Sequence, residues 1–214
     1  MGNKSLGRNT RRFWKKINGY SFFLCMLFSP ALFADTDWEL SKDDDGIKVY
    51  TREVDGWDVE EFKVISVFNA KRSVIYSTLI DVVKYPEWYP DIIESQLCKK
   101  VSETEYYCYS KLDIPWPSDD RDGECHITVE HDETEKVTTI NLNVCSKYKA
   151  KEEGYVRMTR GKGFWKLTTK GETTVVRYQY LSDPAGSIPA WIINMFIVDN
   201  PYNTVLALRN RVKG

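Results

Sequence analysis

Four of the five cysteines (Cys25 lies in the N-terminal 34 residues), two histidines and two loops stiffened by proline and bearing tryptophan are the parts of this sequence with chemical meaning. The cysteines are Cys98, Cys108, Cys125 and Cys145, the histidines His126 and His131. Zinc needs ligands at close spacing, and the chain has no Cys-x-x-Cys pair, while its histidines fall on a strand and the turn that follows. Nucleophilic and nucleotide chemistry lack their local signatures, since there is no Gly-x-Ser-x-Gly elbow and no glycine-rich phosphate loop. Gly161-Lys162-Gly163 sits inside a strand pattern, where it marks a bulge or sharp bend. The acidic groups Asp43 to Asp45 and Glu133 with Glu135 fall in turns and read as solvated. No catalytic residue, metal or cofactor is therefore expected. Thiol oxidation is the remaining covalent chemistry, with Cys98–Cys108 and Cys125–Cys145 as the favoured disulfides across their hairpins. Cys108–Cys125 is the rival pairing, and four buried thiols are the alternative to any bridge.

The two loops suit binding better than catalysis. In Ile114-Pro115-Trp116-Pro117 and in Asp183-Pro184-Ala185-Gly186-Ser187-Ile188-Pro189-Ala190-Trp191, each proline fixes its own φ and holds the preceding residue extended. A bulky aromatic is thereby presented at a fixed place, as a gate over an apolar cavity requires. Trp116, Ile188, Trp191, Met195 and Phe196 are the residues expected at that gate, with ordinary core packing as the competing role for about half of them. Arg121 and Asp122 follow the first loop directly, and neighbours on a strand point to opposite faces, so both cannot line one cavity. Bracing the loop is the favoured role for Arg121, ligand contact the lesser one. Tyr109 stands for the many strand tyrosines that can line a tunnel and offer a hydroxyl, although tyrosine is also simply a good sheet former.

These residues need a scaffold, and 214 residues allow one large domain behind a leader. Residues 1–34 run from basic (Lys4, Arg8, Arg11, Arg12, Lys15, Lys16) through apolar (Tyr20 to Phe28) to Ala34, the order of a secretory signal peptide cleaved after Ala34. Residues 20–34 fall short of the roughly 20 apolar residues of a spanning helix, which makes an inner-membrane anchor the alternative. Export implies a periplasmic protein and an oxidising compartment for the cysteines. A formal charge of -1 with acidic and basic residues interspersed excludes the footprint of a nucleic-acid binder.

Within 35–214 the pattern opens with two alternating strands, Ile47 to Arg52 and Phe62 to Phe68, then a helix capped by Ser73 and ended by Pro86 and Pro90. Period two returns near 92–101, 105–113, 121–131, 136–147, 154–169 and 172–182, an antiparallel meander. Ile188 to Val212 closes the chain as an amphipathic helix with a kink expected at Pro201. Such a helix must bury its stripe against the sheet, and strong curvature then leaves a cavity between them. The class is α+β.

Four motifs in order resemble the START domains, lipid-transfer domains related to the steroidogenic acute regulatory protein, and in particular their secreted bacterial members. They are Trp38-Glu39-Leu40 with Gly46-Ile47-Lys48-Val49-Tyr50, Tyr85-Pro86-Glu87-Trp88-Tyr89-Pro90, Pro115-Trp116-Pro117-Ser118-Asp119-Asp120-Arg121-Asp122, and Asp183 to Trp191. The resemblance implies a helix-grip fold, Bet v 1-like, with a curved antiparallel sheet wrapped around a long C-terminal helix. It also implies one lipid enclosed between them and a lid made of the loop before Arg121 and that helix. Family members hold a polar head group with a buried charged pair, for which Lys111 and Asp113 are the nearest matches. The implied function is to bind a lipid or other apolar molecule and transfer or present it, as a monomer in transient contact with membranes. An enzyme of the cyclase type and a lipid sensor acting through a protein partner are the alternatives.

Overall fold

A computed structural model describes residues 37–213 of the chain. The leader expected at 1–34 lies outside the described residues.

Among the described residues, ten strands form one sheet in the order β1, β2, β3, β10, β9, β7, β6, β5, β4, with β8 beside β6. The strands are β1 Glu39–Asp44, β2 Ile47–Arg52, β3 Glu61–Phe68, β4 Ile92–Lys100, β5 Glu105–Leu112, β6 Asp120–Asp132, β7 Val137–Cys145, β8 Tyr155–Arg157, β9 Arg160–Lys170 and β10 Thr173–Asp183. Neighbours are antiparallel except β8, which runs parallel to the start of β6. The expected strand over 154–169 is thus two strands, parted at Met158 and Thr159. Asp45 and Gly46 both have positive φ, which closes the first hairpin in two residues.

Helix α1, Arg72–Ile80, buries Ile75 and Leu79 and passes into a 3₁₀ turn over Val82–Glu87. Its N-cap is Lys71 rather than Ser73 and makes no side-chain cap bond. The closing helix comprises α2 (Ala190–Asn194), a π-helical turn (Met195–Asp199) and α3 (Asn200–Val212). Pro201 has no N–H to give and its ring crowds the carbonyl four residues back, so the helix widens just before it where a kink was expected. Val205 and Leu208 of α3 are buried against the sheet among Val64, Leu167 and Val176. Polar ties then fix α3 to the first hairpin: Arg209 bonds the carbonyl of Asp45 (2.6 Å) and its carboxylate, and the Tyr202 hydroxyl reaches Asp44 (3.1 Å).

All four described cysteines are free thiols, which corrects both favoured disulfides. Strand register gives the reason. Cys108 faces Leu97 while Cys98 sits in a bulge between Leu97 and Lys99; Cys125 faces Val144 while Cys145 faces Glu124. An offset of one residue puts Cys125 and Cys145 on opposite faces of the sheet. Cys108 and Cys125 do face each other directly, and they too are thiols.

Candidate ligand-binding site

A cavity of about 210 Å³ lies between the inner face of the sheet and the closing helix. Alternation decides which residues reach it. Tyr178, Tyr180 and Ser182 of β10, Cys108, Ser110 and Leu112 of β5, and Cys125 and Ile127 of β6 all point inward. Tyr85, Tyr89, Pro90 and Ile92 form the wall after α1, and Ile193, Phe196, Ile197, Asn200, Pro201 and Thr204 form the roof. The space far exceeds the roughly 10–15 Å³ that one water needs, and its walls are mostly apolar.

Aromatic rings order the floor. Trp165 stacks on Tyr178 at 3.9 Å, and Phe62 meets the same ring edge-on at 5.0 Å. Tyr89 and Tyr178 join hydroxyls at 2.9 Å, and the Tyr85 hydroxyl donates to the Leu79 carbonyl at 2.6 Å. Burial pushes Tyr85, Tyr178 and Tyr180 well above the ordinary phenol value and raises Tyr89, so all four are neutral hydrogen-bonding groups. The Cys125 thiol is raised as well, first by its hydrogen bond with Cys108 and then by burial, and a raised thiol is a poor nucleophile. Gly163 opens room for this floor: a Cβ there would lie 2.2 Å from the Gln179 carbonyl and 2.3 Å from the Tyr180 ring. Tyr180 lies across the bare glycine of its cross-strand partner.

The two proline loops meet at one end of the cavity, and Arg121 joins them. Its side chain is 2% exposed, with Nε donating to the Pro184 carbonyl (2.8 Å), Nη2 to Ala185 (3.1 Å) and Nη1 to Asp119. Burial lowers the pKa of this guanidinium, with Asp119 and Asp120 opposing. The Asp120 carboxylate accepts the Ile114 N–H at 2.9 Å and shapes the first loop, and Asp183 accepts from Ala185 at 2.8 Å in the second.

Among the residues expected at the gate, Phe196 lines the cavity, and Ile188 and Met195 are half-buried outside its lining. Trp116 is 88% exposed on the first loop, and Trp191 is 54% exposed in the first turn of α2, just after the second. Tyr109 requires correction as a ligand contact, because register places it opposite Glu124 on the outer face, one residue out of phase with Cys108. There its hydroxyl donates to Asp122 (2.9 Å) and Glu152 (3.2 Å). Lys111 also points outward, to Glu94 (3.0 Å) and Glu152 (2.8 Å), and Asp113 is exposed, so neither forms an internal charged pair. Sequence reasoning named the Tyr85 to Pro90 motif without seeing that Tyr89 lines the site. The alternating run Tyr178, Tyr180, Ser182 carried a signal for the floor.

The fold and cavity place the chain in a family: it belongs to the START domain family, whose sequence profile matches residues 23–205. An uncharacterized protein of Pseudomonas aeruginosa is 37% identical over 176 residues, 81% of this chain and 86% of that protein. The crystal structure of the STAR-related lipid transfer protein of Xanthomonas axonopodis (fragment 25–204) has a TM-score of 0.77 at 35% identity, covering 83% of this chain and 99% of that one. The phosphatidylcholine transfer protein of Mus musculus is 23% identical over 174 residues, 78% of this chain and 79% of that protein. Membership in this family implies a hydrophobic ligand and lipid transfer.

Proposed function

We propose that the protein carries one apolar molecule in this cavity and exchanges it with membranes through the end closed by the two joined loops. The enclosed apolar space between sheet and helix is the observation that carries the reading. Each methylene moved from lipid into water costs about 0.8 kcal/mol, so a carrier with an apolar interior removes most of the barrier to moving an acyl or polycyclic lipid. Trp116 and Trp191 suit the headgroup level of a bilayer, where an amphipathic indole is stable, and contact there is transient. The neutral phenols of the lining supply no acid and base pair for a cyclase reaction, which favours the carrier over the enzyme reading. We further propose that residues 1–34 export the protein and that it works as a periplasmic monomer.

Protein purified from its native compartment yields a defined lipid on organic extraction and mass spectrometry. Repeated recovery of empty protein that takes up nothing from vesicles would overturn the carrier reading. Trp116→Ala slows exchange with vesicles severalfold while the melting temperature stays put, because the ring is solvent-exposed and contributes little to the fold; an unchanged rate removes Trp116 from the exchange route.

A further inference from the structure

The lining also restricts the polar end of the ligand, an inference that rests on the carrier reading. Among the described residues that form the cavity there is no lysine, arginine or histidine, and the sole carboxylate is that of Glu60, half-buried at the β3 side. Lys111, Asp122 and Glu124 are committed to partners on the outer face, and Arg121, opposite the inward-facing Leu112, spends its guanidinium on the Asp119, Pro184 and Ala185 carbonyls. An anion drawn into this space would lose its hydration and meet no cation.

What the interior offers is hydroxyls. Tyr89, Tyr178 and Thr204 come from three separate elements, and Thr204 of α3 interacts with Tyr89 while Tyr89 and Tyr178 are bonded to each other. Two phenols that share one hydrogen bond keep one O–H and free lone pairs, so the pair can both donate and accept. Further along β10, Ser182 Oγ is buried, interacts with the Tyr180 hydroxyl and completes no well-formed hydrogen bond. Buried polar atoms of this kind are ordinarily satisfied, which leaves an opening for a ligand atom.

We infer that the enclosed end of the ligand is uncharged and carries a hydroxyl or carbonyl group, held by Tyr89, Tyr178 and Ser182, and that anionic and phosphate-bearing head groups are excluded from the cavity. A neutral hydroxyl satisfies the donor and acceptor of the tyrosine pair. A phosphate or carboxylate can only accept, and one neutral phenol does not balance its charge.

The test uses delipidated full-domain protein and four probes of equal chain length: an alkane, a primary alcohol, a fatty acid and a lysophosphatidylcholine. Each is supplied from phosphatidylcholine vesicles at a pH where the acid is ionised. The alcohol binds at least about tenfold tighter than the ionised acid or the lysophospholipid. The double variant Tyr89→Phe with Tyr178→Phe lowers affinity for the alcohol about three- to tenfold and leaves the alkane unchanged. Where the double variant fails to fold, Tyr178→Phe alone gives the same contrast at smaller size. Equal or tighter binding of the acid or the lysophospholipid overturns the inference, as does an alcohol preference indifferent to the tyrosine hydroxyls. If no probe enters, the alkane included, the carrier reading itself fails.

Discussion

The two faces of strands β5 and β6 are built from the same short segments and do opposite work. Inward, Cys108, Ser110, Leu112, Cys125 and Ile127 are neutral and leave space between them. Outward, Tyr109, Asp122 and Glu124 are packed into a charged network with Arg157, Lys111 and Glu152. Arg157 grips the Asp122 carboxylate with two bonds of 2.8 and 2.7 Å, and Glu124 accepts the backbone N–H groups of Lys147, Tyr148 and Lys149 at 3.1, 2.8 and 2.8 Å. Asp122 and Glu124 are 0% and 1% exposed, so the buried carboxylates of this outer face serve to hold segment 146–157 on the outside of the sheet. The contrast teaches that a buried ion pair near a cavity need not face the ligand. Alternation along a strand separates a binding face from a clamping face.

Arg157→Leu should break the clamp most severely. It leaves Asp122 buried without its cation, a loss of about 3–5 kcal/mol by urea denaturation. The ligand bound per folded molecule should stay the same, since the Arg157 guanidinium bonds Asp122 and the Lys149 and Ala150 carbonyls on the outer face. A loss of ligand with little loss of stability would reverse the assignment of the two faces.

Cys125→Phe probes the other face with the opposite expectation. The new ring enters the space beside Cys108 and Ile127, and extra contacts offset overpacking to leave a stability change of about 1–2 kcal/mol. Ligand loading from vesicles should fall at least tenfold. Undiminished loading would show that the ligand lies elsewhere than against β5 and β6.

Much of the fold was legible in the sequence, but the partition of faces was not, because it depends on register. The meander, the closing helix and the two proline loops followed from period and composition; bracing of the first loop was the favoured reading of Arg121, and its bonds to the second loop were not foreseen. Tyr109 and Cys108 could not be assigned to faces, because a slip of one residue exchanges inside for outside. The bulge at Cys98 is such a slip, and it defeats a disulfide that symmetric spacing about a turn suggested. Arg157 gave no signal at all: its partner Asp122 lies 35 residues away, and the parallel β8 that delivers it is three residues long. The cavity roof was half visible, since Phe196 lies on the predicted apolar stripe, while the π-helical turn that carries Ile197 depends on how Pro201 is accommodated.

The smallest effect separates charge from shape within the clamp. Burial opposes ionisation of Asp122, and the bonds from Arg157 and Tyr109 outweigh it, leaving the carboxyl below its ordinary value. A depressed folded-state value stabilises the protein above the unfolded carboxylate value of about 3.9, and the contribution is lost as pH falls through the folded value. The stability gap between the native chain and Asp122→Asn should therefore be widest near neutrality and close in acid. Tyr109→Phe removes one of the bonds that depress the value, so its acid loss should begin at a higher pH than in the native chain. At neutral pH it should cost about 0.5–1.5 kcal/mol. A gap for Asp122→Asn that stays constant down to the acid limit would mean that Asp122 holds β8 by geometry alone, and the outer face would then differ from the inner one in packing rather than in charge.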